Sequence, residues 1–261
     1  MSKAKILFID IENAPIRADV WGLWGVNVGV NQIRENGFLL SYAAKFLGSD
    51  KVYYEDIHQR GKDEKTLLKG LSKLIEEADI VVAQNGDKHD LPWIRTRMVK
   101  NRMRPFPPIK TIDTLKIAKK VFKFHSNKLE FLADFLGIGK KLKHGKFPGH
   151  DLWVECMKGN PEAWEEMREY NINDVIILED VFLALRPWMT GNPNLGVMLA
   201  DGTEQHTCPK CGGVHLEKRG FAYTGVSKFQ RYACQDCGGW SRGRTNLLTK
   251  QERKSILANV A

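Results

Sequence analysis

Ile6-Leu7-Phe8-Ile9-Asp10-Ile11-Glu12-Asn13 is the stretch on which the fold of this chain turns. Four apolar, mostly β-forming residues run into an acid-Ile-acid triplet, which reads as a buried strand whose far end carries two carboxylates. Side chains alternate along a strand, so Asp10 and Glu12 point to the same side. Two carboxylates held on one face of a core strand repel each other unless a cation sits between them. A divalent metal meets that requirement; two acids at a frayed strand end in solvent are the bland alternative. The arrival of further acids from elsewhere in the chain decides between them.

Working outward, residues 21–30 are rich in Gly, Val and Trp and predict a second strand or hairpin. Residues 38–47 predict a third strand and residues 51–54 a short fourth, giving adjacent antiparallel strands. Leu67, Leu68, Leu71, Leu74 and Ile75 fall on one face of a helix over residues 65–78. Ile80-Val81-Val82-Ala83 follows as another buried strand, then a turn through Asn85, Asp87 and His89 into a helix that tolerates Pro92 in its first turn. A short strand over residues 109–113 and a helix over 115–122 come next. Ser126 carries an N-cap signature for a helix that Gly137 ends, and helices over 151–157 and 161–185 close the region. Alternating strands and helices that begin with a meander argue for α/β architecture, a mixed sheet covered by helices.

At 261 residues the chain has room for one sizeable core and a small accessory module. No stretch approaches the roughly 20 apolar residues that cross a bilayer, so no membrane partner is expected. The opening Met1-Ser2-Lys3-Ala4-Lys5 leads into a short apolar run that ends at acids rather than at a small-residue cleavage site. A cytoplasmic protein is therefore expected, in the host cytoplasm if a phage encodes it. The formal charge of +9 and pI near 9.2 meet the basic criterion for nucleic-acid binding. Residues 201–261 are the more basic part, with ten Lys and Arg against five Asp and Glu. Enzymes of phosphorylated metabolites share such a balance, so it gains meaning only beside a site.

The helix from Pro161 contains Tyr170-Asn171-Ile172-Asn173-Asp174, which places a phenol and a carboxylate one turn apart on one face. The chain thus offers Asp10 and Glu12 at a strand end, Asp90 at the next strand-to-helix turn, and Tyr170 with Asp174 on a late helix. This ordered set resembles the DEDD superfamily of 3′ to 5′ exonucleases in its tyrosine-bearing branch, which includes the proofreading domains of many DNA polymerases and RNase D. The first motif is seen in Asp10-Ile11-Glu12. The second is seen in the run from Asn85 to Asp90 with Leu91-Pro92, and the third is Tyr170 to Asp174. The resemblance covers roughly residues 4–188, and is closest to small stand-alone exonucleases of RNase-H-like fold found in bacteria and phages. One departure is His89, where the family usually has an aromatic hydrocarbon ring. Asp87 is a rival to Asp90 as a metal ligand.

The resemblance implies an RNase-H-like mixed sheet and phosphodiester hydrolysis. It implies that Asp10, Glu12, Asp90 and Asp174 hold two Mg²⁺ or Mn²⁺ ions, hard cations suited to oxygen ligands. It also implies that Tyr170 orients or deprotonates the attacking water and that Asn85 bonds near the terminal nucleotide. Residues 95–104 hold five basic residues and no acid, among them Arg95 and Arg97, and a lysine-rich loop holds Lys140, Lys141 and Lys143. Either run is a solvated face or the border of a groove that carries a phosphate backbone.

Cys208-Pro209-Lys210-Cys211 and Cys234-Gln235-Asp236-Cys237 are two C-x-x-C knuckles, each followed by Gly-Gly. Their spacing is that of a closed four-cysteine Zn²⁺ site, whose metal is structural, and the missing secretion signal argues against disulfides. Cys156 stands apart. The module resembles a zinc ribbon over about residues 205–248. Arg231, Tyr232, Trp240 and Arg242 interleave cations with aromatics, which suits single-stranded nucleic acid, although ribbons also bind proteins. The expected organisation is a catalytic domain over residues 1–190, a turn-rich linker over 191–204, and the β-rich ribbon with its tail over 205–261. The expected activity is a monomeric 3′ to 5′ exonuclease that favours DNA, with RNA possible and a replication or repair protein as a possible ribbon partner. A structure-selective endonuclease and a silent nucleic-acid-binding protein are the alternatives.

Overall fold

A computed structural model describes residues 4–61, 63–138, 145–200 and 202–258. The first strand, β1 (Ile6–Asn13), lies at the centre of a five-stranded sheet. The short strands β2 (Arg17–Ala18) and β3 (Ile33–Glu35) pair apart from that sheet, and β4 (Leu39–Phe46) and β5 (Val52–Asp56) return to it. Then follow α1 (Glu64–Glu77), β6 (Ile80–Ala83), α2 (Asp90–Lys100), β7 (Lys110–Asp113) and α3 (Thr114–Val121). Three more helices, α4 (Leu129–Leu136), α5 (Asp151–Lys158) and α6 (Pro161–Leu185), complete this part of the chain. The strand order is β5-β4-β1-β6-β7. β1 runs antiparallel to β4, as β4 does to β5, whereas β1, β6 and β7 are parallel. This is an RNase-H-like fold.

The alternation along β1 sorts the sheet into two faces. Leu7, Ile9 and Ile11 bury themselves with Leu67, Leu68, Leu71 and Ile75 of α1 and with Ile94 and Met98 of α2. On the opposite face Phe8 meets Phe182 of α6 edge-on, ring centroids 5.3 Å apart. Each such side chain withdrawn from water stabilises the fold by about 1.5–3 kcal/mol. Asp10 and Glu12 share the side of Phe8, so the rule that packs α6 on the sheet also aims both carboxylates at α6. Helix ends are fixed by side chains: Asp63 accepts from the Lys65 amide at 3.0 Å to start α1, and Asp113 accepts from the Leu115 amide at 3.0 Å to start α3. Gly137 ends α4 with a left-handed φ of 68°. Ser126 does not cap α4; its hydroxyl accepts from the Lys128 amide inside the preceding turn, and the helix begins at Leu129.

Of the strand or hairpin expected over residues 21–30, a hairpin forms, but its paired strands β2 and β3 lie outside that stretch. The β2–β3 pair clamps the two ends, and the stretch between them is an exposed loop with Trp21 fully exposed and Trp24 92% exposed. Gly22, Gly25 and Gly29 interrupt the β-forming residues, and Gly25 takes a left-handed φ of 67° that breaks strand alternation.

The chain divides into two compact units, Lys5–Phe182 and a second that begins at Leu183. The second contains α7 (Leu195–Met198), β8 (Leu216–Thr224), β9 (Ser227–Cys234), β10 (Trp240–Arg242) and α8 (Lys250–Ser255). Its three strands form an antiparallel sheet in the order β10-β9-β8. The stretch expected as a linker, 191–204, is thus partly ordered structure. The Leu195 amide donates to the Pro209 carbonyl at 2.9 Å, and Leu199 packs so closely on Gly212 that a Cβ there would lie 2.3 Å from its Cδ1. Among the described residues no helix is long and apolar enough to cross a membrane.

Candidate functional site

The C-terminal end of β1 delivers Asp10 and Glu12, the β6-to-α2 connection delivers Gln84, Asn85, His89 and Asp90, and α6 delivers Tyr170 and Asp174. All of them line one open cleft of about 560 Å³, together with Lys119 of α3 and Asn127 and Lys128 before α4. Residues up to 164 positions apart in sequence therefore meet because the sheet puts β1 beside β6 and packs α6 across them. Asp90 and Asp174 are almost fully buried, 3% and 4% exposed.

The turn that presents Asp90 is unusual in its backbone. Asn85 takes a left-handed φ of 65°, rare outside glycine, and its amide donates to Asp113 Oδ1 at 3.1 Å. Gly86 follows where a Cβ would lie 2.4 Å from that of Ala83. The sharp turn starts α2 at Asp90, whose carboxylate gains from the partial positive charge of the helix N-terminus. Asp87 faces elsewhere: it pairs with Lys116 Nζ at 2.6 Å and does not line the cleft. Burial opposes ionisation of Asp87, but the Lys116 bond holds its pKa below the ordinary carboxylate value. His89 also lines the cleft with Nδ1 3.7 Å from Asp90 Oδ2, and its interaction with that carboxylate raises its pKa.

Side chains behind the acids fix their orientation. Asn171 Nδ2 donates to Asp10 Oδ2 at 2.6 Å, while its Oδ1 accepts from the Ser41 hydroxyl at 3.0 Å. Trp153 Nε1 donates to Glu12 Oε2 at 2.9 Å, and its ring lies edge-on to Tyr170 with centroids 6.1 Å apart. Burial, then the charges of Asp174, Glu12 and Asp10, push the Tyr170 phenol far above its ordinary pKa. Sequence reading missed Asn171, Trp153 and Ser41. For Asn171 a signal was there: it lies on the buried stripe of α6 between Met167 and Val175, where an amide is costly unless it is bonded.

The carboxylates of the cleft are oxygen donors, which suits hard divalent cations such as Mg²⁺ or Mn²⁺. Among the described residues the acids line the space without bringing their ligand atoms together on one point. The cysteines behave differently. Among the described residues Cys208, Cys211, Cys234 and Cys237 alone bring one ligand atom each within 4.8 Å of all the others. Sγ atoms of Cys208 and Cys237 are 3.8 Å apart and those of Cys211 and Cys234 are 3.6 Å apart. A tetrahedral Zn–S distance of ~2.3 Å requires an S–S edge of about 3.8 Å, so the thiols fit Zn²⁺. Cys156 is buried apart from them, and burial pushes its thiol pKa up to about 12.

The basic residues divide. Arg97 does not line the acid cleft: it is largely buried and holds Glu64 through two hydrogen bonds of 2.7 and 2.9 Å. Arg95 is exposed, its guanidinium 5.6 Å from the Phe106 ring, and is not among the cleft residues. Lys140, Lys141 and Lys143 lie outside the described residues. The cations that do line the cleft, Lys119 and Lys128, were not singled out from sequence. In the second unit Arg231 lies over Trp240 at 5.0 Å and Arg242 over Phe229 at 4.0 Å, on one face of the sheet. Tyr232 alternates to the other face, buried beside His206.

A family model described as RNase_H superfamily matches residues 7–186. Among solved structures the chain is similar to the family B DNA polymerase from the hyperthermophilic archaeon Pyrobaculum calidifontis, at 15% identity and a TM-score of 0.56. That likeness covers 72% of this chain and 25% of the polymerase. No curated protein matches the sequence.

Proposed function

The chain belongs to the RNase_H superfamily, and from that premise we propose that it is a metal-dependent 3′ to 5′ exonuclease that removes nucleotides from single-stranded or frayed DNA ends. The observation that carries this reading is the convergence of Asp10, Glu12, Asp90, Asp174 and Tyr170 on one cleft. DNA is placed ahead of RNA because the solved fold neighbour is a DNA polymerase.

Asp10, Glu12, Asp90 and Asp174 would hold the ions. When bound, such ions lower the pKa of a water and offset charge that builds on phosphoryl and leaving oxygens. The chain's own residues set the geometry. Asn171 and Trp153 each donate to one oxygen, of Asp10 and of Glu12, and so fix how these two carboxylates are presented at the cleft. Tyr170, held as a neutral phenol, orients the attacking water. Asn85 bonds near the terminal nucleotide, and Lys119 and Lys128 offset phosphate charge at the wall.

The four cysteines hold a structural Zn²⁺ that organises the second unit as a zinc ribbon, and Arg231, Trp240 and Arg242 contact single-stranded DNA. Residues 1–190 make the catalytic domain and 205–261 the ribbon with its tail.

End-labelled single- and double-stranded DNA and RNA, incubated with and without Mg²⁺, test the reading. The expected product is a Mg²⁺-dependent ladder of single-nucleotide steps from the 3′ end, faster on single-stranded DNA. Discrete internal cuts would replace the exonuclease with a structure-selective endonuclease. Absence of metal-dependent cleavage on every substrate would overturn the proposal.

A further inference from the structure

Residues 20–29, Val-Trp-Gly-Leu-Trp-Gly-Val-Asn-Val-Gly, contain no charged side chain in a protein of net charge +9. Folding leaves them in water: Trp21, Leu23 and Trp24 are 101%, 89% and 92% exposed. Exposed rings of this size are costly to leave in water, and contiguous apolar patches mark interaction sites. The loop is also held in place. β2 pairs with β3 at its base, the Asp19 amide donates to the Gln32 carbonyl at 3.0 Å, and Gln32 Nε2 donates to the Asp19 carbonyl at 2.9 Å. The charges of the stem are spent on each other, Arg17 on Glu35 and Arg34 on Asp19. What remains is an apolar tip on a pre-ordered stem, which loses little entropy on binding.

Its root identifies the occupant. The loop leaves β1 directly after Glu12 and Asn13 and returns at Gly37, which packs between the Ala14 carbonyl and the Trp93 ring. A Cβ at Gly37 would lie 2.7 Å from both. Trp93 belongs to the first turn of the helix that Asp90 begins. The excursion thus springs from between the two elements that carry Asp10, Glu12 and Asp90, at the sheet end where the parallel strands present their acids. We propose that Trp21 and Trp24 form a stacking wedge for the unpaired bases of the strand entering the acid cleft. Every base offers a π-face, so stacking holds a strand without reading its sequence. A neutral tip enters a base stack without placing a charge among the bases, and phosphate contact is left to Lys119 and Lys128. This wedge rests on the nuclease reading for its substrate.

The test uses the full-length, zinc-loaded protein without added Mg²⁺ and a single-stranded oligonucleotide with 2-aminopurine at its 3′ end. Trp21→Ala with Trp24→Ala should raise the Kd by about 10-fold, within the roughly 5- to 150-fold expected for the loss of one stacked base. It should also relieve the quenching of 2-aminopurine. Trp21→Phe with Trp24→Phe, which keeps both rings, should stay within about 3-fold of the wild type if base–aromatic stacking is the cause. Hydrolysis of bis(p-nitrophenyl) phosphate with Mn²⁺, a diester without a nucleobase, reads the cleft separately and should proceed in all three proteins. If that ester is untouched by the wild type, the nuclease reading fails while the binding difference still supports a base-stacking loop. If the Ala variant binds the oligonucleotide as tightly and with the same emission, the wedge is overturned. It is equally overturned if the variant changes only the sedimentation of the protein, which would make the loop an interface between copies.

Discussion

The four-cysteine cluster and the acid cleft are the two places in this chain whose side chains could take metal ions, but they come together in opposite ways. Cys208, Cys211, Cys234 and Cys237 lie on two short knuckles within thirty residues and close on one point, every ligand atom within 4.8 Å of the others. The acids come from β1, the start of α2 and the middle of α6, and they surround a space rather than fill it. A closed soft-ligand cage saturates its ion and yields structure; an open oxygen-lined cleft leaves positions for water and substrate and yields chemistry.

Stripping zinc gives the widest separation between the two regions. Binding of structural zinc is worth on the order of 10 kcal/mol of folding free energy in small modules. Chelation or Cys234→Ser should unfold the second unit, seen as loss of cooperative melting and of chemical-shift dispersion from β8–β10, while the p-nitrophenyl ester is still hydrolysed with Mn²⁺. Loss of ester hydrolysis on chelation, not restored by excess Mn²⁺, would break the distinction.

Next come the acids themselves. Asp90→Asn should lower turnover roughly 10³-fold or more, since several kcal/mol of charge stabilisation disappear at about 1.36 kcal/mol per decade. The melting temperature without metal should hold or rise, because a carboxylate facing like charges is removed. Asn171→Ala should cost less, about 10- to 100-fold in Mn²⁺ affinity, the usual scale for partners that orient metal ligands. Asn171→Asp would add a further charge beside Asp10 and should not restore it. The smallest effects belong to the wall. Lys119→Ala and Lys128→Ala should each reduce the salt slope of DNA binding by about 1, whereas Arg97→Ala should leave that slope unchanged and destabilise the fold instead, because Glu64 loses its partner.

The same contrast explains what was readable from sequence. Thiol knuckles are local, so their spacing alone announces the site. β1 was readable because burial on both faces gives a continuous apolar run, and α1 because its leucines repeat at helical spacing. The pairing of Arg97 was not legible within a basic run because Glu64, which it bonds, lies 33 residues upstream on another helix. Lys119 and Lys128 looked like ordinary helix and turn lysines until the sheet placed them at the cleft. Residues 21–30 had strand-forming composition, but composition cannot say whether a neighbouring strand is available, and none pairs with them. The Asp90-Leu91-Pro92-Trp93 continuation favours Asp90 over Asp87, and the turn at Asn85 sends Asp90 into the cleft and Asp87 to Lys116.

The central claim is that the carboxylates of the first unit, and not the cysteines of the second, hold the ions that drive hydrolysis. Mn²⁺ binding to zinc-loaded protein, followed by electron paramagnetic resonance alongside ester hydrolysis, tests it most directly. The expected result is Mn²⁺ uptake and turnover in the wild type, both lost in Asp174→Asn and both kept in Cys234→Ser. Equal uptake and turnover in the wild type and Asp174→Asn would contradict it.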